Sequence, residues 1–312
     1  MVRRKPAFAS KCRQQGVALL TALLLVALVA ILTVNLQWDT SLDIRRSENL
    51  FESDQALYYA LGAESWANEI LRTDARDSST DHTGEDWATK GRILPVEGGA
   101  IRGFLEDMQG RFNLNNLVDG NGRIDEISLA QFERLLNVLQ LDPALGRMTV
   151  DWLDHDLEPG FPSGAEDSFY TARNPPYRAA NLSITSATEL LSIGDMDAAS
   201  FRILAPYVTA LPNGTALNVN TARAPVLRSL SEQISDNVAE NLVGERGDQG
   251  FEDLAAFTDL VEPEVMQSLE LSSSFFRLTA DVSIGSTRFT MYSLLERNGG
   301  QSLPVMRTFN SE

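Results

Sequence analysis

Cysteine is nearly absent from this chain of 312 residues, with Cys12 the only one, set among basic residues near the start. A lone thiol closes no intrachain disulfide, so stability must come from packing and, where acids crowd, from bound metal. Histidine is almost as scarce. His82 and His155 stand far apart, which argues against a histidine-ligated zinc or a histidine-based catalytic centre. Positive charge is short as well, with 26 Lys and Arg against 43 Asp and Glu and a formal net charge of −17. Such a surface repels nucleic acid and anionic headgroups, which excludes polyanion binding as the main role of the body. No glycine-rich phosphate loop, nucleophile elbow or paired histidines mark an enzyme, and Ser163-Gly164 reads as an ordinary turn. Carboxylate pairs such as Asp154 and Glu166 do acid–base work only in a cleft, which the sequence does not indicate. The chain is expected not to be an enzyme.

What it does have is one long apolar run. Lys11-Cys12-Arg13-Gln14-Gln15-Gly16 leads into Val17 and then, without a charge, to Trp38. About 20 apolar residues in a helix cover the ~30 Å hydrocarbon core of a bilayer. Arg3, Arg4, Lys5, Lys11 and Arg13 precede the run and Asp39 follows it, so the leader is expected in the cytoplasm and the body on the far side of the membrane. An ordinary secretory signal has a shorter apolar stretch with its cleavage site after it. Here the plausible cut lies before the run, between Gly16 and Val17. The plainer alternative is an uncleaved single-pass anchor.

Beyond Trp38 the pattern turns amphipathic. Leu50, Phe51, Leu57, Tyr58, Leu61, Trp66, Ile70 and Leu71 recur at helical spacings, and no proline interrupts Val17 to Arg76. One continuous helix of ~55 residues is expected, ending in the loop Asp77–Gly84 and using that stripe to pack on a globular domain. Ile93–Val96 and Ala100–Asp107 about Gly98-Gly99 read as a hairpin, as do Phe275–Ile284 and Thr287–Arg297 about Gly285-Ser286. Between the hairpins lie some 160 residues with helical periods, which implies a helical insertion into a small α+β domain.

The order of basic leader, glycine and apolar helix resembles the prepilin signal of type IV pilins and type II secretion pseudopilins. An interrupted sheet is the distinguishing architecture of the K-type minor pseudopilin family, and four passages resemble that family locally. They are Asp107–Asn115, Asp151–Asp156, Gly164–Tyr170 with Asn174–Asn181, and Leu217–Ala222. The resemblance implies a pilin-like α+β fold, a long N-terminal transmembrane helix on an antiparallel sheet with a large inserted all-α domain. Expected divisions are a leader over 1–16, the transmembrane half of the helix over 17–38, and periplasmic helix with first strands over 39–112. The insert then spans 113–274 and the closing strands 275–312. It further implies cutting after Gly16 by a prepilin peptidase, and assembly with I- and J-type minor pseudopilins above the major pseudopilin. The subunit would cap the periplasmic pseudopilus for export of folded proteins, with contact to cargo or to the outer-membrane secretin. Pilin-like subunits usually carry glutamate at the fifth mature position. Here Thr21 stands there, which fits a subunit with no neighbour above it to satisfy. A plain anchor also has a neutral residue there, and the rival expectation is a single-pass inner-membrane-anchored periplasmic receptor or binding protein.

Two acidic stretches are candidate calcium sites. Asp119–Asp125 copies the middle of an EF-hand loop, but Leu117 and Ser128 occupy its first and twelfth positions, so a turn before a helix is the better reading. Asp151, Asp154, Asp156, Glu166 and Asp167 offer oxygen ligands and no nitrogen or sulfur, as calcium prefers, and the resemblance implies calcium too. The alternative is a solvated acidic loop. Ala187–Gly194 and Asn220–Leu230 look like helix–hairpin–helix units, but the second hairpin carries Glu232 and no glycine, so helix packing is expected and nucleic acid is not.

Overall fold

The computed structural model describes residues 15–89 and 91–310, so nearly all of the expected leader lies outside the described residues. Helix α1 (Gln15–Asp77) is the first element. The chain divides into two compact units, residues 1–54 and 55–312. In the first unit the apolar side chains from Val17 to Trp38 are all exposed, and the helix is long and apolar enough to cross a membrane. Thr21 satisfies its own hydroxyl by donating to the Ala18 carbonyl at 3.0 Å, so it needs no partner in an apolar surround.

In the second unit α1 runs on from Gln55 and is followed by β1 (Arg92–Val96) and β2 (Gly99–Asp107). The interrupting segment then contains β3 (Phe112–Asn113), α2 (Glu126–Val138), α3 (Ala144–Leu153), α4 (Asp167–Tyr170) and α5 (Ala198–Leu204). It continues through β4 (Val208–Thr209), β5 (Leu217–Asn218), α6 (Ala224–Ser229), α7 (Asp236–Arg246), α8 (Pro263–Met266) and β6 (Leu269–Glu270). Last come β7 (Phe275–Ile284), β8 (Thr287–Asn298) and β9 (Gln301–Phe309). The order β1-β2-β7-β8-β9 makes one antiparallel five-stranded sheet. Both hairpins stand at the expected turns. Gly98 takes a φ of +81°, a conformation that strains any residue with a Cβ.

The strands alternate as a half-buried sheet should: Phe276, Leu278, Ala280, Val282 and Ile284 of β7 face α1 and are buried. The helix meets them through small residues. Ala56, Ala60, Ala63, Ala67 and Leu71 form the buried stripe, whereas Phe51 and Tyr58 are 74% and 73% exposed. Of the bulky stripe read from the sequence, Leu71 is buried and Leu61 and Ile70 pack against this core, whereas Leu50, Phe51, Tyr58 and Trp66 are exposed. Alanine at steps of three and four lets the helix approach closely and loses no rotamer freedom. One acid sits in that interface. Glu64 accepts from Arg307 at 2.7 Å through both oxygens and from Ser293 at 2.6 Å, tying α1 to β8 and β9.

The end of α1 is fixed by a second ion pair. Arg297 of β8 donates to Asp74 at 2.8 Å, to Asp81 at 2.5 Å and to the Ser273 carbonyl at 2.7 Å, with its guanidinium over the Phe276 ring. Burial, then Glu85 and Asp81, push the Asp74 carboxyl up to about 7. Burial likewise raises Asp81.

The insert is helical, with two minor parallel pairs, β3 on β4 and β5 on β6. It has two cores. One centres on Phe112 stacked on Phe132 at 5.2 Å, with Leu114, Leu135 and Leu153. The other holds Val219, Leu227, Ile234 and Phe257. A buried polar junction joins the insert to the sheet. The Asp107 carboxylate at the end of β2 accepts from Gln109 N–H at 2.8 Å, Asn218 at 3.0 Å, Ser273 at 2.7 Å and Thr221 at 2.5 Å. Gln109 in turn accepts from the backbone of Ser274 and donates to the Ala216 carbonyl. The chain thus leaves and re-enters the sheet at one point.

Candidate functional site

The acidic stretch of the insert starts at the C-terminal end of α3, whose last turn is covered on every side, so that Asp151 is buried along with Val150, Trp152 and Leu153. Asp151 accepts the Gly160 N–H at 3.0 Å, so the loop 156–166 folds back over the helix end. Its glycines are close-packed: a Cβ on Gly164 would lie 2.2 Å from an Asp151 oxygen and 2.2 Å from the Gly160 nitrogen. Asp154 caps α3, and Glu166 precedes the short α4 and is 2% exposed.

Asp154, Asp156 and Glu166 each place a carboxylate oxygen within 4.8 Å of the others. Both Glu166 oxygens and Asp154 Oδ1 are buried and have no hydrogen-bond donor. Burial, then Asp151, Asp154 and Asp156, push Glu166 up to about 7. Burial and the same neighbourhood push Asp154 up to about 6, and burial raises Asp151. Three crowded carboxylates, with three buried oxygens on Asp154 and Glu166 that have no donor and Asp156 accepting only the Glu158 N–H at 2.8 Å, are unfavourable alone and suit a hard cation with oxygen ligands. Calcium would be held by Asp154, Asp156 and Glu166, with Asp151 holding the loop behind them.

Of the five residues picked from sequence, those three come together and Asp151 lies behind. Asp167 does not join them. Its carboxylate accepts the Ala179 N–H at 3.1 Å and faces Arg178 at 3.6 Å, because the start of α4 turns it to the other side from Glu166. In Asp119–Asp125 the Asp119 carboxylate is already filled by the N–H groups of Asn121 and Arg123 at 2.8 and 2.9 Å, and Asp125 caps α2. Backbone hydrogen bonds hold Asp119 below its usual range, so the segment is a turn with its acid satisfied. Gly16 and Val17 lie in the first turns of α1.

The four passages that carried the resemblance now have physical content. Asn113 and Asn115 fix the segments on either side of α5: Asn115 accepts from Ile184 N–H and donates to the Ile184 and Leu211 carbonyls, while Asn113 accepts from Leu211 N–H. Asp107, Asn218 and Thr221 meet in the junction. Tyr170 is fully buried between Trp152 and Tyr177, 5.3 and 5.2 Å away, and its hydroxyl accepts the Gly194 N–H. Asp74, Asp81, Glu85 and Arg297 gave no sequence signal, since they are 223 positions apart at the extreme and no local period links them.

Comparison with known proteins agrees with this layout. Residues 110–213 and 217–272 match the family described as Type II secretion system (T2SS), protein K. The type II secretion system protein K of Pseudomonas aeruginosa is 38% identical, covering 94% of this chain and 92% of that protein. That of Klebsiella pneumoniae is 34% identical over 95% and 97%. Among solved structures, the GspK-GspI-GspJ complex from the type 2 secretion system of enterotoxigenic Escherichia coli contains a chain that superposes with a TM-score of 0.76. It is 26% identical and covers 86% of this chain and 100% of that one.

Proposed function

This chain belongs to the type II secretion system protein K family, and we propose that it caps the tip of a periplasmic pseudopilus as a minor pseudopilin. The observation that carries this reading is the insert: a domain-sized body seated on the sheet through the Asp107 junction, where one more subunit would have to pack. The relative solved with GspI and GspJ supports I- and J-type partners for this chain, with the major pseudopilin below. The apolar first part of α1 anchors it in the inner membrane with its body in the periplasm. A prepilin peptidase cuts after Gly16, and Thr21 asks nothing of a subunit above. Cargo or secretin meets the exposed insert, and calcium on Asp154, Asp156 and Glu166 holds the α3–α4 loop. The role is structural rather than enzymatic.

Removing the insert tests the capping role. The deletion should run from Gly110 to Ser272, with Gln109 and Ser273 joined by a short linker, because Ser273 N–H donates to Asp81 at 2.7 Å and helps fix the end of α1. We expect a folded pilin core and loss of secretion, with pseudopili abnormal in number or length. Normal pseudopili and normal secretion would end the capping proposal.

Mass spectrometry of the membrane-extracted chain tests the processing. The expected N-terminus is Val17. A chain retaining residues 1–16 in cells with an active prepilin peptidase would favour the anchored receptor instead.

A further inference from the structure

A second concave site lies between the outer face of the sheet and the insert. It encloses about 890 Å³. The face of β7, β8 and β9 turned away from α1 supplies Arg277, Tyr292, Leu294 and Met306, and the insert side supplies Arg111, Arg223 and Phe201. The described residues that line it include no Asp or Glu, although the chain as a whole carries a net charge of −17. Glu106 on β2, outside that lining, lies 2.6 Å from Arg277 and 3.4 Å from Arg111. One acid between two arginines, with exposed Arg223 beside them over the Tyr207 ring, leaves an excess of positive charge. Burial first, then Arg277 and Arg223, push the Arg111 guanidinium down to about 10, while Glu106 and Asp107 pull it the other way.

Arginine forks match carboxylates in planar, paired geometry, and a partly dry apolar wall strengthens that match. The volume lies at the upper end of the range for compact ligands and accommodates several amino-acid residues. Of the hydroxyls on the lining, Thr185 is paired with Glu189 at 2.7 Å and Ser186 with Thr188 at 2.7 Å, while Thr308 can meet the backbone of an extended segment. We propose that this cavity binds an extended acidic and apolar peptide segment of a partner protein, its carboxylate on Arg111 and Arg223 and its apolar side chains against Tyr292, Leu294 and Met306.

The test uses the full chain in nanodiscs of zwitterionic lipid and an array of hexapeptides that combine one or two carboxylates with apolar residues. Each peptide is paired with its amide counterpart, Gln for Glu and Asn for Asp. Fluorescence anisotropy should show acidic members binding about tenfold or more tighter than their counterparts, with the advantage falling as salt rises. Arg223→Glu should weaken them by a similar factor. Arg223 is exposed and makes only a ring contact there, so that variant keeps the fold. Arg111→Gln should act in the same direction. Equal binding of the amide counterparts, no binding by any member at millimolar concentration, or binding untouched by both substitutions would overturn the proposal. Tighter capture of oleate than of every peptide would overturn it too, by assigning the cavity to a lipid-like anion.

Discussion

Replacing Arg297 by methionine should cost about 3–5 kcal/mol at neutral pH, because removing one member of a buried ion cluster leaves the others uncompensated. The side chains of Asp74 and Asp81 are 13% and 2% exposed, so solvent does little to screen them, and Glu85 adds a third charge. Methionine keeps the apolar contact with Phe276 and removes only the charge and the donors. The loss should depend on pH in a defined direction. Asp74 at about 7 in the folded chain, against about 3.9 unfolded, means that folding takes up a proton between those values. Its contribution is therefore greatest below about 4 and declines as pH rises towards 7. Without Arg297 both acids should hold their protons to higher pH still, so the variant should recover much of its deficit at pH 5. Urea unfolding at pH 7.5 and pH 5, with Arg297→Lys as the charge-retaining control, measures this. A deficit equal at the two pH values, or below about 1 kcal/mol at pH 7.5, would show that the cluster does not work as a charge-balanced unit.

Calcium should raise the melting temperature of the wild-type chain, and Glu166→Gln with Asp156→Asn should remove that rise. A ligand that binds only the folded state adds RT ln(1 + [L]/Kd), about 2.7 kcal/mol at a hundredfold excess over Kd, or several degrees for a body of this size. Glu166 held at about 7 by burial and by its acidic neighbours costs the fold stability whenever it is charged. The double variant should consequently be at least as stable as the wild type in chelator at pH 8, and less stable in millimolar calcium. Magnesium should substitute poorly, since it gives up its water reluctantly. If chelation leaves the wild-type melting curve unmoved, the Asp154, Asp156 and Glu166 group holds no calcium.

Much of the fold was legible because its signals are local. An uncharged run, the absence of proline to Arg76, and glycine turns between alternating strands each depend on a few neighbouring residues. What escaped depends on residues far apart. The apolar spacing of α1 pointed rightly to Leu61, Ile70 and Leu71 but also to Leu50, Phe51, Tyr58 and Trp66, which are exposed, while the sheet takes Ala56, Ala60, Ala63 and Ala67, since contact distance as well as hydrophobicity decides that face. Crowding in sequence does bring Asp154, Asp156 and Glu166 together in space, but Asp151 lies behind them and Asp167, next in sequence to Glu166, is turned aside by the start of α4. The cavity and the Arg297 cluster gave no warning, as their members come from the sheet, the insert and the end of α1 at once.

The meeting of Asp107 with Phe276 across β2 and β7 has a kinetic side. Closing that strand pair from an unfolded chain means closing a loop of about 170 residues, some 2.5 kcal/mol costlier in entropy than a ten-residue turn. A compact insert whose two ends already lie together shortens that loop to a few residues. The insert's cores can form first from contacts within 110–274, and the strands on either side are then presented to each other in register. In that order the helical body acts as the turn of a very large hairpin, and the sheet's central pairing waits on it.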